Sequence, residues 1–207
     1  MSTNYQLLLD DIIRRNGEEG KVPTLLLHSC CAPCSSYTLE YLSQYFDITV
    51  FYYNPNIEPA DEYLRRVEEQ QRLLAIMPFK NKVEFVNGKY DPSVFHSAVA
   101  GLENEPEGGL RCFECYRLRL RAAAREAAAR GLDYFCTTLS ISPLKRASII
   151  NTIGEEEGHA AGVAFLPSDF KKRGGYLRSV VLSRQYGLYR QNFCGCIYSR
   201  RTKEPTQ

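Results

Sequence analysis

The stretch that decides the fold is Val22-Pro23-Thr24-Leu25-Leu26-Leu27-His28-Ser29-Cys30-Cys31-Ala32-Pro33-Cys34-Ser35-Ser36. Its first half, residues 22–28, is a short apolar run without alternation, the pattern of a strand buried on both faces of a parallel sheet. Its second half leads into a helix predicted over 35–45. In doubly wound folds the first strand-to-helix turn commonly holds phosphate-binding glycines. Here the turn has no glycine and carries three cysteines.

The same strand–helix order continues outward. Helices are predicted over 5–16, 62–77, 116–130, 145–157 and 175–186, with a short one within 90–97. Further strands are predicted over 48–53, 83–86, 134–139 and 163–165. Leu8, Leu9, Ile12 and Ile13 share one face of the first helix. The 116–130 segment is almost all Ala, Arg and Leu, with Gly131 as its stop. The alternation predicts an α/β fold: a doubly wound, mostly parallel five-stranded sheet with helices on both faces. Ligands of such sheets lie beyond the carboxyl ends of the strands. Segments 28–34, 54–58, 140–143 and 167–169 each follow a strand, so a metal site is expected at that C-terminal edge.

The chain has 207 residues, 44% of them hydrophobic, enough for a full core in a single domain spanning 1–207 without disulfide staples. Its first twenty residues carry acids and lack a basic region followed by a long apolar run, so no signal peptide is expected. No apolar run is long enough to cross a bilayer. A cytoplasmic protein with reduced thiols and no membrane partner follows. Net charge is only +2, yet residues 171–203 hold nine Lys or Arg and no acid, which leaves 17 basic against 24 acidic side chains elsewhere. A basic segment on an acidic body suits a polyanion. Its interleaved Tyr176, Tyr186, Tyr189, Phe193 and Tyr198 are suited either to stacking on bases or to packing in the core.

Seven of the eight cysteines fall in three groups: Cys30-Cys31-x-x-Cys34, Cys112-x-x-Cys115 and Cys194-x-Cys196. Thiolates from distant segments that meet at one point are what a metal or metal–sulfur cluster requires. Cys112 and Cys115 stand at the start of a helix, where amides and the nearby Arg111 and Arg117 favour the thiolate. The loops beside the helices would fold the 112/115 and 194/196 groups over the sheet edge. Cys194-Gly195-Cys196 is less specific and suits a metal or a strained, easily reduced disulfide. Cys136, in a strand, reads as a core residue. His28 is a ligand, a base or a hydrogen-bonded structural residue, and Glu58 and Asp169 are acids that either bind iron or donate a proton, or serve as plain surface charges or caps. Seven clustered thiols exceed what one closed zinc site needs. A [4Fe–4S] cluster beside a second metal or a dithiol uses them better.

The segments LLLHSCCAPCSS, YYNPNIEPADEYLRR, GGLRCFECYRLRL, TTLSISPLKR, FLPSDFKKRGGY and YRQNFCGCIYSRR together resemble the epoxyqueuosine reductase family QueH, over roughly residues 22–201. The resemblance implies a cobalamin-independent, tRNA-modifying oxidoreductase of queuosine biosynthesis. Its reaction is two-electron deoxygenation of epoxyqueuosine in tRNA to queuosine. It also implies a [4Fe–4S] cluster on Cys30, Cys31, Cys112 and Cys115, an adjacent mononuclear iron, and a redox-active Cys194/Cys196 dithiol. Cys34 and acids such as Asp169 are candidate ligands of the second iron. The implied partners are tRNA carrying epoxyqueuosine and an external electron donor that the sequence does not identify. The basic segment and a stripe of Arg117, Arg121 and Arg125 would hold the tRNA backbone, the alternative for the stripe being a solvated helix face. Two rival readings stand beside this one. One is an ATP-dependent tRNA thiolase of the PP-loop type, which would need a Ser-Gly-Gly-type turn after the first strand. The other is a zinc-stabilised RNA-binding module.

Overall fold

The computed structural model describes residues 3–201. Lys203, the last cation of the basic segment, lies outside the described residues. Five parallel strands, β1 (Thr24–His28), β2 (Asp47–Tyr52), β3 (Val83–Asn87), β4 (Tyr134–Thr137) and β5 (Ala164–Phe165), line up in the order β3-β2-β1-β4-β5. β1 is central because Leu25, Leu26 and Leu27 are wholly buried, as the unalternated apolar run requires. Crossovers leave β1 in both directions, so helices cover both faces of the sheet, and the switch point lies between the ends of β1 and β4.

The helices are α1 (Tyr5–Glu18), α2 (Ala32–Leu42), α3 (Ala60–Ile76), α4 (Pro92–Ala98), α5 (Leu110–Ala129), α6 (Ala147–Ala161), α7 (Gly175–Gln185) and α8 (Ile197–Arg201). α2 packs with α3 and α7, while α5 packs with α6 and against β1 and β4. Ala123, Ala124 and Ala127 of α5 are all fully buried, small residues that let α5 lie close to its neighbours. Among the described residues no helix is long and apolar enough to cross a membrane.

Three boundaries that differ from expectation shape the site, and two of them move cysteines. α2 begins at Ala32, with Cys31 as its N-cap and Pro33 in its first turn, so Cys34 is helical. α5 begins at Leu110, capped by Gly109, which puts Cys112 and Cys115 inside its first turns and not in a loop. β4 ends at Thr137, and Thr138–Ile141 forms a 3-10 turn started by the Thr137 hydroxyl, which accepts from the Leu139 N–H. α8, absent from the sequence reading, follows Cys196 directly.

Candidate metal and thiol site

Cys30 leaves the end of β1 at the switch point. Its backbone N–H donates to Thr138 Oγ1 at 3.1 Å, and the Thr138 hydroxyl donates to Cys30 Sγ at 3.2 Å, so one residue after β4 fixes both ends of this cysteine. The sulfurs of Cys30, Cys31 and Cys34 lie within 4.8 Å of one another. Cys31 is the N-cap of α2, so the group sits at the positive end of that helix. Hydrogen bonds from Cys31 and Cys34 hold the Cys30 thiol well below the usual thiol range, while the bond to Cys30 and burial push Cys31 and Cys34 up. A divalent ion is what lets several such thiols ionise together.

The trio, with Arg66, Arg119, Lys145, Phe193 and Cys194 among its neighbours, lines a cavity of about 180 Å³ at the strand ends. A second, smaller cavity of about 20 Å³ is lined by Asn56, Arg111, Cys112, Cys115, Arg119, Cys194 and Cys196 among others. Glu107, Arg119 and Cys194 border both. The three cysteine groups therefore line two neighbouring cavities. The tightest group, however, is Cys30, Cys31 and Cys34, while Cys112 and Cys115 share their chamber with Cys194 and Cys196. Gly108 N–H donates to Cys112 Sγ at 3.2 Å, and burial pushes the Cys115 thiol up to about 12. All eight cysteines are free thiols.

Arg119 is 2% exposed; it donates to Cys115 O at 3.2 Å and Asn54 Oδ1 at 3.3 Å, and its Nη2 has no partner. A buried guanidinium with a free donor calls for an anion. Lys145, half-buried in the larger cavity, is likewise kept charged against burial by the thiols and Tyr116 around it. Arg119 and Lys145, set among the seven thiols, fit an anionic, thiolate-ligated iron–sulfur group.

The 193–196 turn is pinned from α3. Arg66, 2% exposed, donates to Glu62 Oε1 at 2.7 Å, to Cys194 O at 3.2 Å and to Phe193 O at 3.5 Å. Gly195 has φ +120°, and a Cβ there would meet Ile57 Cγ1 at 2.8 Å, so only glycine suits the position. His28 is structural: its Nε2 faces the Tyr53 carbonyl at 3.1 Å and must carry the proton, so Nδ1 accepts from the Thr137 hydroxyl at 2.8 Å. Burial, aided by Arg119, lowers its pKa to about 4. Asp169 pairs with Lys171 at 2.5 Å and Glu58 with His96 at 2.8 Å, and neither lines the two cavities. Cys136 is wholly buried in β4.

The sequence model of the family described as Epoxyqueuosine reductase QueH matches residues 25–202. The chain is similar to the Epoxyqueuosine reductase QueH of Staphylococcus epidermidis, with 44% identity over 95% of this chain and 84% of the relative. It is also similar to those of Streptococcus pyogenes (44% over 96% and 78%) and Staphylococcus aureus (42% over 95% and 83%). The chain belongs to the QueH family.

In this QueH chain several site residues escaped the sequence reading: Asn56, Arg66, Glu107, Arg119 and Lys145. Arg119 was the most legible, since it lies four residues after Cys115, on the same face of α5. The stripe assigned to tRNA serves the fold instead in two of its three members. Arg117 pairs with Glu156 and Glu157, and Arg121 with Glu157, which locks α5 to α6. The basic segment is also partly neutralised, because Lys171 pairs with Asp169, Arg173 with Asp10 and Arg178 with Glu40. Of its aromatics, Tyr189 donates to Glu62, Phe193 lies between Arg66 and Arg200, and Tyr198 is buried against Phe95.

Proposed function

We propose that this chain is a cobalamin-independent epoxyqueuosine reductase that acts on tRNA in the cytoplasm and converts epoxyqueuosine to queuosine. The observation that supports it best is the convergence of seven thiols from three segments around buried Arg119, in a family whose named members are epoxyqueuosine reductases. In this reading Cys30, Cys31, Cys112 and Cys115 would hold a [4Fe–4S] cluster, with Cys34 a candidate ligand of a separate iron. Bound there, such centres supply single electrons and a Lewis acid for the epoxide oxygen.

The chain's own side chains have the remaining work. Loss of the epoxide oxygen as water takes two electrons and two protons. The Cys194–Cys196 dithiol carries both: epoxide and dithiol become alkene, water and disulfide, and an external donor then restores the thiols. Arg119 offsets negative charge on the sulfurs, and Lys145 offers the larger cavity a proton donor. Leu139, Leu144 and Phe193 line that cavity with apolar surface. Lys172, Arg184, Arg190 and Arg200 remain exposed for tRNA phosphates.

Anaerobic purification with iron and sulfide analysis, followed by incubation with epoxyqueuosine-containing tRNA and a low-potential chemical reductant, tests the proposal. Iron-loaded protein that removes one oxygen from the modified base supports it. Colourless protein that holds zinc, or iron-loaded protein that leaves the epoxide intact, sinks it.

A further inference from the structure

β1 and β4 pair up to His28 and Thr137, and just beyond that pair Thr138 meets Cys30. Thr138 is wholly buried; its hydroxyl accepts from the Cys30 N–H at 3.1 Å and donates its one proton to Cys30 Sγ at 3.2 Å. Its place is fixed by the preceding residue, because the Thr137 hydroxyl donates to His28 Nδ1 at 2.8 Å and accepts from the Leu139 N–H at 3.2 Å. Cys31 and Cys34 also bond to the Cys30 sulfur as free thiols. A thiol that ligates iron loses its proton, and that bond goes with it. The Thr138 hydroxyl carries no proton that metal binding removes, so it alone of these three donors outlasts ionisation of the trio.

We propose that Thr138 is a positioning residue that raises the reduction potential of an iron–sulfur group held by Cys30. The inference rests on the ligand set proposed above. A Cys30 thiolate bound to iron keeps lone pairs that accept from the hydroxyl. Reduction adds negative charge to the group and its sulfurs, so a donor aimed at a sulfur stabilises the reduced form more than the oxidised one. Burial strengthens the effect, since little solvent screens it. The Gly108 N–H makes a like bond to Cys112 Sγ at 3.2 Å from the backbone, whereas Thr138 can be replaced without touching a peptide group. Cys30 lines the larger cavity together with Cys194, so the electron store that Thr138 tunes borders the proposed dithiol.

The test takes anaerobically purified, iron-loaded protein through a dithionite titration with mediator dyes and follows the reduced-cluster signal by electron paramagnetic resonance. Each dithionite gives up two electrons and ends as sulfite, and each cluster takes up one electron. Thr138→Val keeps the shape and loses the hydroxyl; it is expected to lower the equilibrium constant for reduction by about tenfold, equivalent to about 59 mV for one electron. Thr138→Ser restores the hydroxyl and is expected to stay within about twofold of the unmodified protein. Thr138→Ala takes the place of Thr138→Val if the latter does not fold. A midpoint of the folded Thr138→Val or Thr138→Ala protein within about twofold of the unmodified one overturns the role of Thr138. So does a Thr138→Ser protein shifted as far as Thr138→Val, which would make packing the cause. Failure of both hydroxyl-less variants to fold or to hold a cluster also overturns the tuning role, because Thr138 is then an assembly residue. Unmodified protein that holds no iron–sulfur cluster sinks the ligand set proposed above, and this inference with it.

Discussion

Replacement of Arg66 by methionine isolates the pin that holds the 193–196 turn. Methionine keeps most of the apolar stem and removes the guanidinium, hence the 2.7 Å bond to Glu62 and the 3.2 Å bond to Cys194 O. Glu62 is itself only 9% exposed, so its carboxylate stays buried with Tyr189 Oη, at 3.0 Å, as its remaining donor described. Loss of one partner of such a pair costs about 3–5 kcal/mol. For a domain of this size that is a fall in Tm of roughly 6–20 °C. Urea unfolding followed by far-UV circular dichroism, anaerobic and with thiols kept reduced, measures the change. Adding Glu62→Gln recovers about 2 kcal/mol, because glutamine still accepts from Tyr189 and buries no charge. A loss below about 1 kcal/mol for Arg66→Met, or a double variant no more stable than the single one, refutes the reasoning, since the carboxylate would then have to be solvated.

The remaining expectations divide the site by role. Cys112→Ser abolishes iron and sulfide binding, whereas Cys194→Ser keeps the colour and loses turnover; normal turnover by Cys194→Ser with a chemical reductant removes the dithiol from the mechanism. Gly195→Ala costs about 1–3 kcal/mol, because a side chain at φ +120° is strained and its Cβ would meet Ile57, and an unchanged melting temperature contradicts that. Bonds from the Thr24 N–H at 2.8 Å and hydroxyl at 2.7 Å hold the Asp133 carboxyl below its usual value. That contribution is fully present above the unfolded-state pKa of about 3.9 and fades as pH falls through the lower folded value. Asp133→Asn should therefore flatten the loss of stability below about pH 4 in acid titrations followed by circular dichroism; an unchanged slope counts against it.

The sheet was legible because its information is local. Unalternated runs such as 25–27, short and bounded by Pro23 and the cysteine turn, read as buried strands, and the order of strands and helices then favours parallel pairing. The cysteine spacing likewise marked the segments that line the two cavities. Partner choice was not legible, because the sequence gives no distances between segments. Cys34 joined Cys30 and Cys31 because α2 starts at Ala32, three residues earlier than periodicity suggested, and that start depends on Pro33 at an N-terminal turn. Arg117, Arg121, Arg173 and Arg178 read as a nucleic-acid face because their acidic partners, Glu156, Glu157, Asp10 and Glu40, lie 36 to 163 residues away along the chain. Asn56 gave no signal at all: an asparagine between Pro55 and Ile57 is an ordinary turn residue until its side chain is seen buried among thiols.

The turn after β1 also separates this chain from the rival that resembles it most, the ATP-dependent thiolase. Phosphate recognition at such a turn needs small residues and free backbone N–H groups at the start of the helix. Here the helix start holds Ala32 and Pro33, and proline has no N–H to offer. The space in front of the first turn is taken by three sulfurs within 4.8 Å of one another, with Thr138 already bonded to one of them. The positive end of α2 is still there, and so are Arg119 and Lys145. The same electrostatic device that elsewhere holds phosphate is thus turned toward thiolate sulfur. Purified protein should accordingly show neither ATP hydrolysis nor ATP-dependent stabilisation in a thermal shift assay, while an increase in Tm with ATP would return the site to nucleotide chemistry.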